Sequence, residues 1–570
     1  MSAKKEWKIN VTDERLVAEL KEKLGINEKL CTILVNRGIT TFEQAKDFFR
    51  HNLTNMHDPF LIKGMNKAVN RLVEAIANKE KILVFGDYDV DGTTAVALVY
   101  SFLRSVYDEA LLEYYIPDRY NEGYGISIAG IAYAKENNFK LIIALDCGVK
   151  AVEKIAYANT LDVDFIICDH HLPGDVIPDA VAVLDPKQND CPYPYKELTG
   201  CGIGFKFMYA YSMQTDTDLN IALQYLDLLS VSIASDIVPI TGENRLLTHF
   251  GVKKLTENPT VGLAALKGVS GITTSANIYK IVFGIGPRIN AAGRIKHGKF
   301  AVQLLSELDL NKAEEMASVI NENNTERKVL DKASTLEAID IIDSSTELQQ
   351  RKSTVLYNPE WHKGIIGIVA SRVMEKYYRP TIILTKSNDK VAGSARSVKG
   401  FNVHHAIEQC SDVIEQFGGH FYAAGLTLKP ENVPAFQAKF EEVVSNSIED
   451  YMLIPEVVID CEINFDEIND SFWKILRQMA PFGPQNMRPQ FVSKKVYVKS
   501  HARIVGDNHL QLTLHQHGNE KMFKGIAFNQ GDKLDLVKNG KQFDVVYNVK
   551  ENEWQGNITL QIDIKDIRFE

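Results

Sequence analysis

Lys81-Ile-Leu-Val-Phe-Gly-Asp-Tyr-Asp-Val-Asp-Gly-Thr-Thr-Ala95 is the stretch around which the chain is organised. Residues 82–85 form a short, β-prone apolar run closed by Gly86, which reads as a buried strand. Asp87, Asp89 and Asp91 follow at alternate positions, and Gly92-Thr93-Thr94 opens an Ala- and Val-rich helical pattern. Open parallel α/β sheets place their ligands at the carboxyl ends of their strands. Closely spaced carboxylates repel one another and are expected to hold a cation, and hard divalent ions such as Mg²⁺ or Mn²⁺ take oxygen ligands of this kind. Asp-x-Asp-x-Asp alone is equally an acidic, solvated turn.

The pattern recurs. Residues 141–145 are apolar and end at Asp146; 165–168 end at Asp169-His170-His171; 180–184 end at Asp185-Pro186. Several strands are therefore expected to deliver carboxylates to one edge, with Asp236 of Ser232-Ile-Ala-Ser-Asp-Ile-Val-Pro239 joining them. Taken singly, a buried Asp reads as a cap and adjacent histidines as surface.

The chain has 570 residues, 45% of them hydrophobic, which at roughly 150 residues per domain suggests three or four domains. Its seven cysteines contain no C-x-x-C pair, so neither a zinc ribbon nor a disulfide framework is indicated and a reducing cytoplasm fits. The N-terminal residues lack an apolar signal core, and no apolar run of about 18 residues exists to span a bilayer, so a soluble cytoplasmic protein without membrane contact is expected. A net charge of −10 argues against a uniformly basic surface but leaves room for a local basic track.

The expected architecture is α/β and multidomain. Residues 1–80 form a helical lead that packs on and caps the first sheet. Residues 81–245 alternate strands and helices as a parallel sheet does. Residues 246–345 form a helical connector, interrupted by Gly284-Ile-Gly-Pro-Arg288-Ile-Asn290-Ala-Ala-Gly293-Arg294. A second α/β domain over 346–448 has strands at 354–357, 381–384 and 391–394. Residues 455–570 carry short alternating strands and read as a small antiparallel barrel.

In order and spacing, Asp87-Tyr-Asp-Val-Asp-Gly92, Asp146, Asp169-His-His171 and Asp236 resemble the four motifs of the DHH phosphoesterase superfamily. Trp361-His-Lys-Gly-Ile-Ile-Gly367, Gly393-Ser-Ala-Arg-Ser397 and Gly418-Gly-His-Phe-Tyr-Ala-Ala-Gly425 resemble the associated DHHA1 domain. The connector motif, Asn36-Arg-Gly-Ile39 with Asp58-Pro59, and Pro481-Phe-Gly-Pro484 in the barrel narrow the resemblance to the single-strand-specific 5′ exonucleases of that superfamily.

The resemblance implies two Mn²⁺ or Mg²⁺ ions on Asp89, Asp91, Asp146, His170 and Asp236, with Asp146 bridging. It leaves Asp87, Asp169 and His171 to orient these groups or to meet the scissile phosphate. Such a pair, roughly 3.5–4 Å apart, activates water for in-line displacement, and no covalent nucleophile is needed. Ser394, Arg396 and Arg288 would form a pocket for a terminal 5′ phosphate, since Arg matches phosphate bidentately. Gly418 and Gly419 would let the backbone approach a phosphate and His420 would donate to it, although two glycines also suit a tight turn. Asn290 and Arg294 of the connector motif are further candidates, and His404 and His405 are left unassigned.

The terminal region resembles an OB fold, in which Arg488, Lys494, Lys495, Lys499, Arg503, Lys521 and Lys524 could track phosphates while Tyr497 and Phe523 stack on bases. The expected activity is 5′-to-3′ hydrolysis of single-stranded DNA to 5′ mononucleotides in repair and recombination. The expected protein is a monomer whose two α/β domains form a cleft, with a single-strand-binding protein and a helicase as candidate partners. The alternatives are a DHH phosphodiesterase for short oligonucleotides or cyclic dinucleotides, and a non-catalytic DNA-binding scaffold.

Overall fold

A computed structural model describes residues 5–119, 121–295, 297–554 and 557–569, and the chain divides into two compact units. One comprises Lys46–Thr325 with Met479–Met487; the other comprises Met1–Ala45, Glu326–Gln478 and Arg488–Glu570, and contains the first strand, β1 (Glu6–Ile9).

In the first unit the quoted stretch supplies β2 (Lys81–Gly86) of a five-stranded sheet. It is joined by β3 (Leu112–Tyr115), β4 (Phe139–Leu145), β5 (Asp164–Cys168) and β6 (Ala182–Leu184), in the order β3-β2-β4-β5-β6. Every pairing is parallel. Ile82, Val84, Leu141, Ile143 and Ile166 enter one core, which includes residues of helices Met65–Ala77, Val90–Val106 and Gly200–Gln214. Leu83, Phe85, Ile142, Ala144 and Phe165 enter another on the opposite face. Burial on both faces explains why these strands read as unbroken apolar runs rather than alternating ones.

Register is what builds the site. Gly86 lies opposite Leu145, Leu145 opposite Cys168, and Cys168 opposite Leu184. The next residues, Asp87, Asp146, Asp169 and Asp185, therefore leave the sheet along one edge. The strand order reverses between β2 and β4, the place where doubly wound sheets open a ligand crevice.

The second unit contains β7 (Thr354–Tyr357), β8 (Thr381–Ser387), β9 (Lys390–Arg396), β10 (Gln416–His420) and β11 (Ala423–Leu428), in the order β10-β11-β9-β8-β7. Only β7 and β8 run parallel within this sheet. Next come β12 (Glu456–Ile459), β13 (Cys461–Glu462), β14 (Phe491–Val505), β15 (His509–Gln516), β16 (Met522–Ala527), β17 (Phe543–Trp554) and β18 (Asn557–Phe569). Pairing runs β14-β15-β16-β18-β17 and returns to β14, closing a five-stranded barrel.

Three expectations need correction. The barrel is not wholly antiparallel: β18 forms a hairpin with β17 and inserts beside β16, so β16 and β18 pair parallel, as do β13 and β14. Helix Met65–Ala77 does pack on the parallel sheet through Met65, Val69 and Leu72. Helices Glu14–Leu24 and Glu28–Asn36 instead lie in the second unit, where β1 pairs in parallel with β12 and Asn36 Nδ2 donates to Asp460 O (3.4 Å). An amphipathic helix declares that it buries one face, not which core receives it. Finally, Pro481-Phe-Gly-Pro484, expected in the barrel, belongs to the unit of the parallel sheet. Among the described residues no helix is long and apolar enough to cross a membrane.

Candidate metal centre

Asp146 follows the last residue of β4 with φ +60°, a left-handed backbone that turns the chain at the sheet edge and is uncommon away from glycine. It is tolerated because its surroundings hold it: its N–H donates to Cys168 O (2.8 Å), and Gly200 packs where a Cβ would come within 2.5 Å of the Asp146 Cβ. Asp89 caps helix Val90–Val106, accepting from Gly92 N–H (3.0 Å) with one carboxylate oxygen.

Asp91, in the first turn of that helix, is the most firmly held. It accepts from the N–H groups of Gly200 (2.7 Å) and Cys201 (2.9 Å) and from Ser232 Oγ (2.6 Å). The two N–H groups open helix Gly200–Gln214, whose unpaired donors and dipole favour a carboxylate.

His170 presents Nε2 to Asp146 Oδ1 (3.2 Å), Asp236 Oδ2 (3.6 Å) and Asp91 Oδ2 (3.8 Å). Asp236 comes from the end of helix Leu226–Ser235. Potential ligand atoms form three overlapping groups, each within 4.8 Å: Asp87, Asp89 and Asp146; Asp91, His170 and Asp236; Asp146, His170 and His171. The sharing of Asp146 and His170 between groups joins these positions into one centre.

Asp169 does different work. Its carboxylate accepts from Val149 N–H (2.8 Å), His170 N–H (2.8 Å) and His171 N–H (3.2 Å), and contacts His171 Nδ1 (2.7 Å). The other nitrogen of His171, Nε2, meets Tyr124 OH at 3.2 Å. Asp169 thus orients the loop and the His171 ring.

The electrostatics call for positive charge. Burial, then Asp91, Asp89 and the other acids, raises Asp146 well above the usual carboxylate range; burial and Asp89 do the same to Asp87, and burial and Asp91 raise Asp89. Asp236 is pushed up to about 9 by burial, Asp91 and Asp89. Burial lowers His170, leaving a neutral imidazole suited to ligation. Asp169 is the exception: burial is outweighed by His171 and backbone donors, which hold it below its ordinary value. Asp87 Oδ1, Asp146 Oδ1, Asp236 Oδ2 and His170 Nδ1 are buried with no hydrogen-bond partner among the described residues. Oxygen-rich ligands, mutual repulsion and orphaned acceptors fit hard divalent cations.

Sequence reasoning missed Ser232, Tyr124 and the Thr199–Cys201 corner. Two signals were available. Ser232 stands four residues before Asp236 on one helix face. Thr199-Gly-Cys-Gly202 is a helix start, with Thr199 Oγ1 accepting from Gly202 N–H (3.0 Å).

The expected phosphate-contacting residues divide between the units. Ser394 and Arg396 lie on β9, opposite Gly425 and Ala423 of β11, which in turn faces Gly418–His420 of β10. Arg396 Nη1 donates to Ser394 Oγ (3.2 Å) and Ala395 O (2.7 Å). Burial lowers its guanidinium, and no carboxylate among the described residues opposes the shift. Gly367, at the start of helix Ile366–Tyr377, approaches both side chains so closely that a Cβ would lie 3.0 Å from each. Gly419, at φ +149°, leaves no room for a Cβ beside Ala423 O (2.4 Å). Arg288 belongs to the other unit and donates to Asn321 Oδ1 (3.0 Å), Gly284 O (2.7 Å) and Val269 O (2.9 Å). The Arg294 side chain lies outside the described residues.

Of the expected base stackers, Tyr497 is half-buried and stacks on His515 (5.6 Å). Phe523 is instead buried against Phe465 (5.1 Å) and cannot meet a base. The basic track also thins: Lys494 pairs with Glu462 (2.7 Å), Arg488 donates to Val549 O (3.2 Å) and Lys521 donates to Ile468 O. Lys495, Lys499, Arg503 and Lys524 remain exposed.

Residues 81–233 match the DHH family N-terminal domain, 351–446 the DHHA1 domain and 459–566 the RecJ OB domain. The chain is 34% identical to the single-stranded-DNA-specific exonuclease RecJ of Bacillus subtilis, over 99% of this chain and 71% of that one. It is 32% identical to the RecJ exonuclease of Salmonella typhimurium, over 89% and 90% respectively. The crystal structure of RecJ from Thermus thermophilus in complex with Mn²⁺ superposes with a TM-score of 0.84 at 25% identity, covering 99% of this chain and 80% of that one.

Proposed function

This chain belongs to the RecJ family of single-stranded-DNA-specific exonucleases, and from that premise we propose that its carboxylate row hydrolyses phosphodiester bonds of single-stranded DNA, starting at the 5′ end. The observation that carries the reading is the strand register that sets Asp87, Asp146 and Asp169 side by side, with His170 drawing Asp91, Asp146 and Asp236 together.

Asp89, Asp91, Asp146, His170 and Asp236 would hold two divalent cations, Mn²⁺ or Mg²⁺. When bound, such ions lower the pKa of water and stabilise charge on the attacking and leaving oxygens. The protein's own contribution is positioning. The Gly200, Cys201 and Ser232 donors fix Asp91, so its carboxylate need not reorganise. Asp169 holds His171 by Nδ1 and turns Nε2 towards Tyr124 and the open side of the site, where a scissile phosphate would accept from it. Asp87 extends the acidic row beside Asp89 and Asp146.

Ser394 and Arg396 would take the terminal 5′ phosphate. Among the described residues no carboxylate lowers the charge of Arg396, and Gly418–Gly419 leave backbone accessible beside His420. Lys495, Lys499, Arg503 and Lys524, with Tyr497, give the barrel a surface suited to phosphates and bases. A substrate that must be single-stranded makes a helicase and a single-strand-binding protein the natural partners in the cytoplasm, with the chain acting as a monomer.

The test uses 5′-phosphorylated single-stranded DNA labelled at either end, with Mn²⁺ or Mg²⁺ and an EDTA control. Immediate release of the 5′ label as mononucleotide, with progressive shortening of the 3′-labelled strand and duplex spared, is expected. Survival of long DNA while dinucleotides are cleaved would overturn the reading.

A further inference from the structure

Met479–Met487 is flanked on both sides by residues of the second unit but belongs to the first. Within the first unit it grips the segment that leaves metal-ligand candidate Asp236. Ile240 N–H donates to Pro484 O at 2.8 Å. Gly483 presses on the Ile240 side chain so closely that a Cβ would stand 2.5 Å from Ile240 Cγ1.

The loop itself is braced. Gly483 and Asn486 exchange backbone hydrogen bonds (3.1 and 2.9 Å), and the buried Asn486 amide donates to Met479 O (3.0 Å) and Pro481 O (2.7 Å). Arg245, also buried, donates to Met479 O (2.8 Å) and Pro481 O (3.3 Å), reaches Phe48 O (3.2 Å) and lies over the Phe48 ring at 3.8 Å. On the segment being gripped, Pro239 O accepts from Tyr195 OH (3.2 Å) and Asn244 Nδ2 (3.1 Å).

Between Asp236 and this anchored stretch stands Ile237, a β-branched residue at φ +62° and 75% exposed. A branched side chain in the left-handed region is a genuine outlier and persists only where its neighbours over-determine it. Helix Leu226–Ser235 fixes the backbone on one side of Asp236; the Pro239–Ile240 anchor fixes it on the other.

We propose that Gly483 and Asn486 are positioning residues for the metal centre: the Met479–Met487 loop sets the backbone beyond Asp236 and so aims its carboxylate. The nuclease site is then incomplete without a segment that the sequence places next to the terminal barrel. This rests on the assignment of Asp236 as a metal ligand. It implies that loss of the loop weakens cation binding rather than DNA binding.

The test measures Mn²⁺ uptake by the full chain from the electron paramagnetic resonance of free Mn²⁺, independently of hydrolysis. Gly483→Val should raise the half-saturating Mn²⁺ concentration by about tenfold, the scale seen when support behind a metal ligand is removed. Combining it with Ile240→Ala, which makes room, should restore most of the affinity. Asn486→Ala, which loosens the loop without adding volume, should weaken uptake in the same direction. Circular dichroism reports whether each variant is folded. A folded Gly483→Val or Asn486→Ala that binds Mn²⁺ like the unaltered chain would overturn the proposal. So would a loss in Gly483→Val that Ile240→Ala leaves unrepaired. If the unaltered chain takes up no Mn²⁺, the metal assignment itself falls, and this proposal with it.

Discussion

At the scale of the residue, the centre is a group of acids that cannot all be ionised in the bare protein. Asp146 is buried and, like His170, stands in two of the three ligand groups, so its loss should damage the site severely. Asp146→Ala is expected to lower hydrolysis by at least about 10²-fold, the scale of losing one charge-stabilising group, while DNA binding in a gel-shift assay persists. Retained hydrolysis would remove its bridging role. A second prediction concerns protons. Asp236 is raised from 3.8 to about 9, so the folded, metal-free chain holds a proton that the unfolded chain releases. Its stabilising contribution is full below the unfolded value and is lost as pH rises towards about 9. Cation binding must expel that proton, so apparent Mn²⁺ affinity should rise between about pH 6.5 and 8.5. Calorimetric titrations in that window showing no change would contradict the shift.

At the scale of the element, helix Gly200–Gln214 matters through its first turn. Thr199 Oγ1 accepts from Gly202 N–H (3.0 Å) and contacts Ser232 Oγ (2.6 Å), itself a donor to Asp91. One hydroxyl therefore caps the helix and holds a group that fixes a proposed ligand. Thr199→Ala is expected to cost about 0.5–2 kcal/mol in urea unfolding, the usual range for a lost N-cap. It should also weaken Mn²⁺ binding, whereas a cap with a purely structural role would change stability alone. The strands were legible because burial on both faces makes each a continuous apolar run. The Thr199 corner was harder to read because a capped helix start carries no mark of what its free N–H groups face.

At the scale of the whole molecule, the N-terminal strand stabilises residues far along the chain. β1 pairs with β12, Trp7 Nε1 donates to Asp566 Oδ2 (2.8 Å), and Arg568 lies 4.2 Å from the centre of the Trp7 ring. Trp7 also packs on the cluster of Val457, Ile459, Val492 and Val546. Trp7→Ala is expected to destabilise this unit by on the order of 2 kcal/mol, less than truncation of a fully buried aromatic. Limited proteolysis should then open the terminal barrel before the parallel-sheet unit. Equal resistance of the barrel in the variant and the unaltered chain would argue against that role.

The sequence by itself determined four of the five strands of the parallel sheet, the acids that end them and the motif set that marks the family, because each is a local pattern of apolar period and residue type. Asp87, Asp146 and Asp169 could be named from the chain alone; that they stand in one row was decided by parallel register. Tertiary structure alone decided that Phe523 is core, that the first helices lie in the unit of the terminal barrel, and that Pro481-Phe-Gly-Pro484 supports the segment after Asp236. These are contacts between residues tens to hundreds of positions apart. Local periodicity reports how much of a side chain is buried; only the folded chain determines its partner.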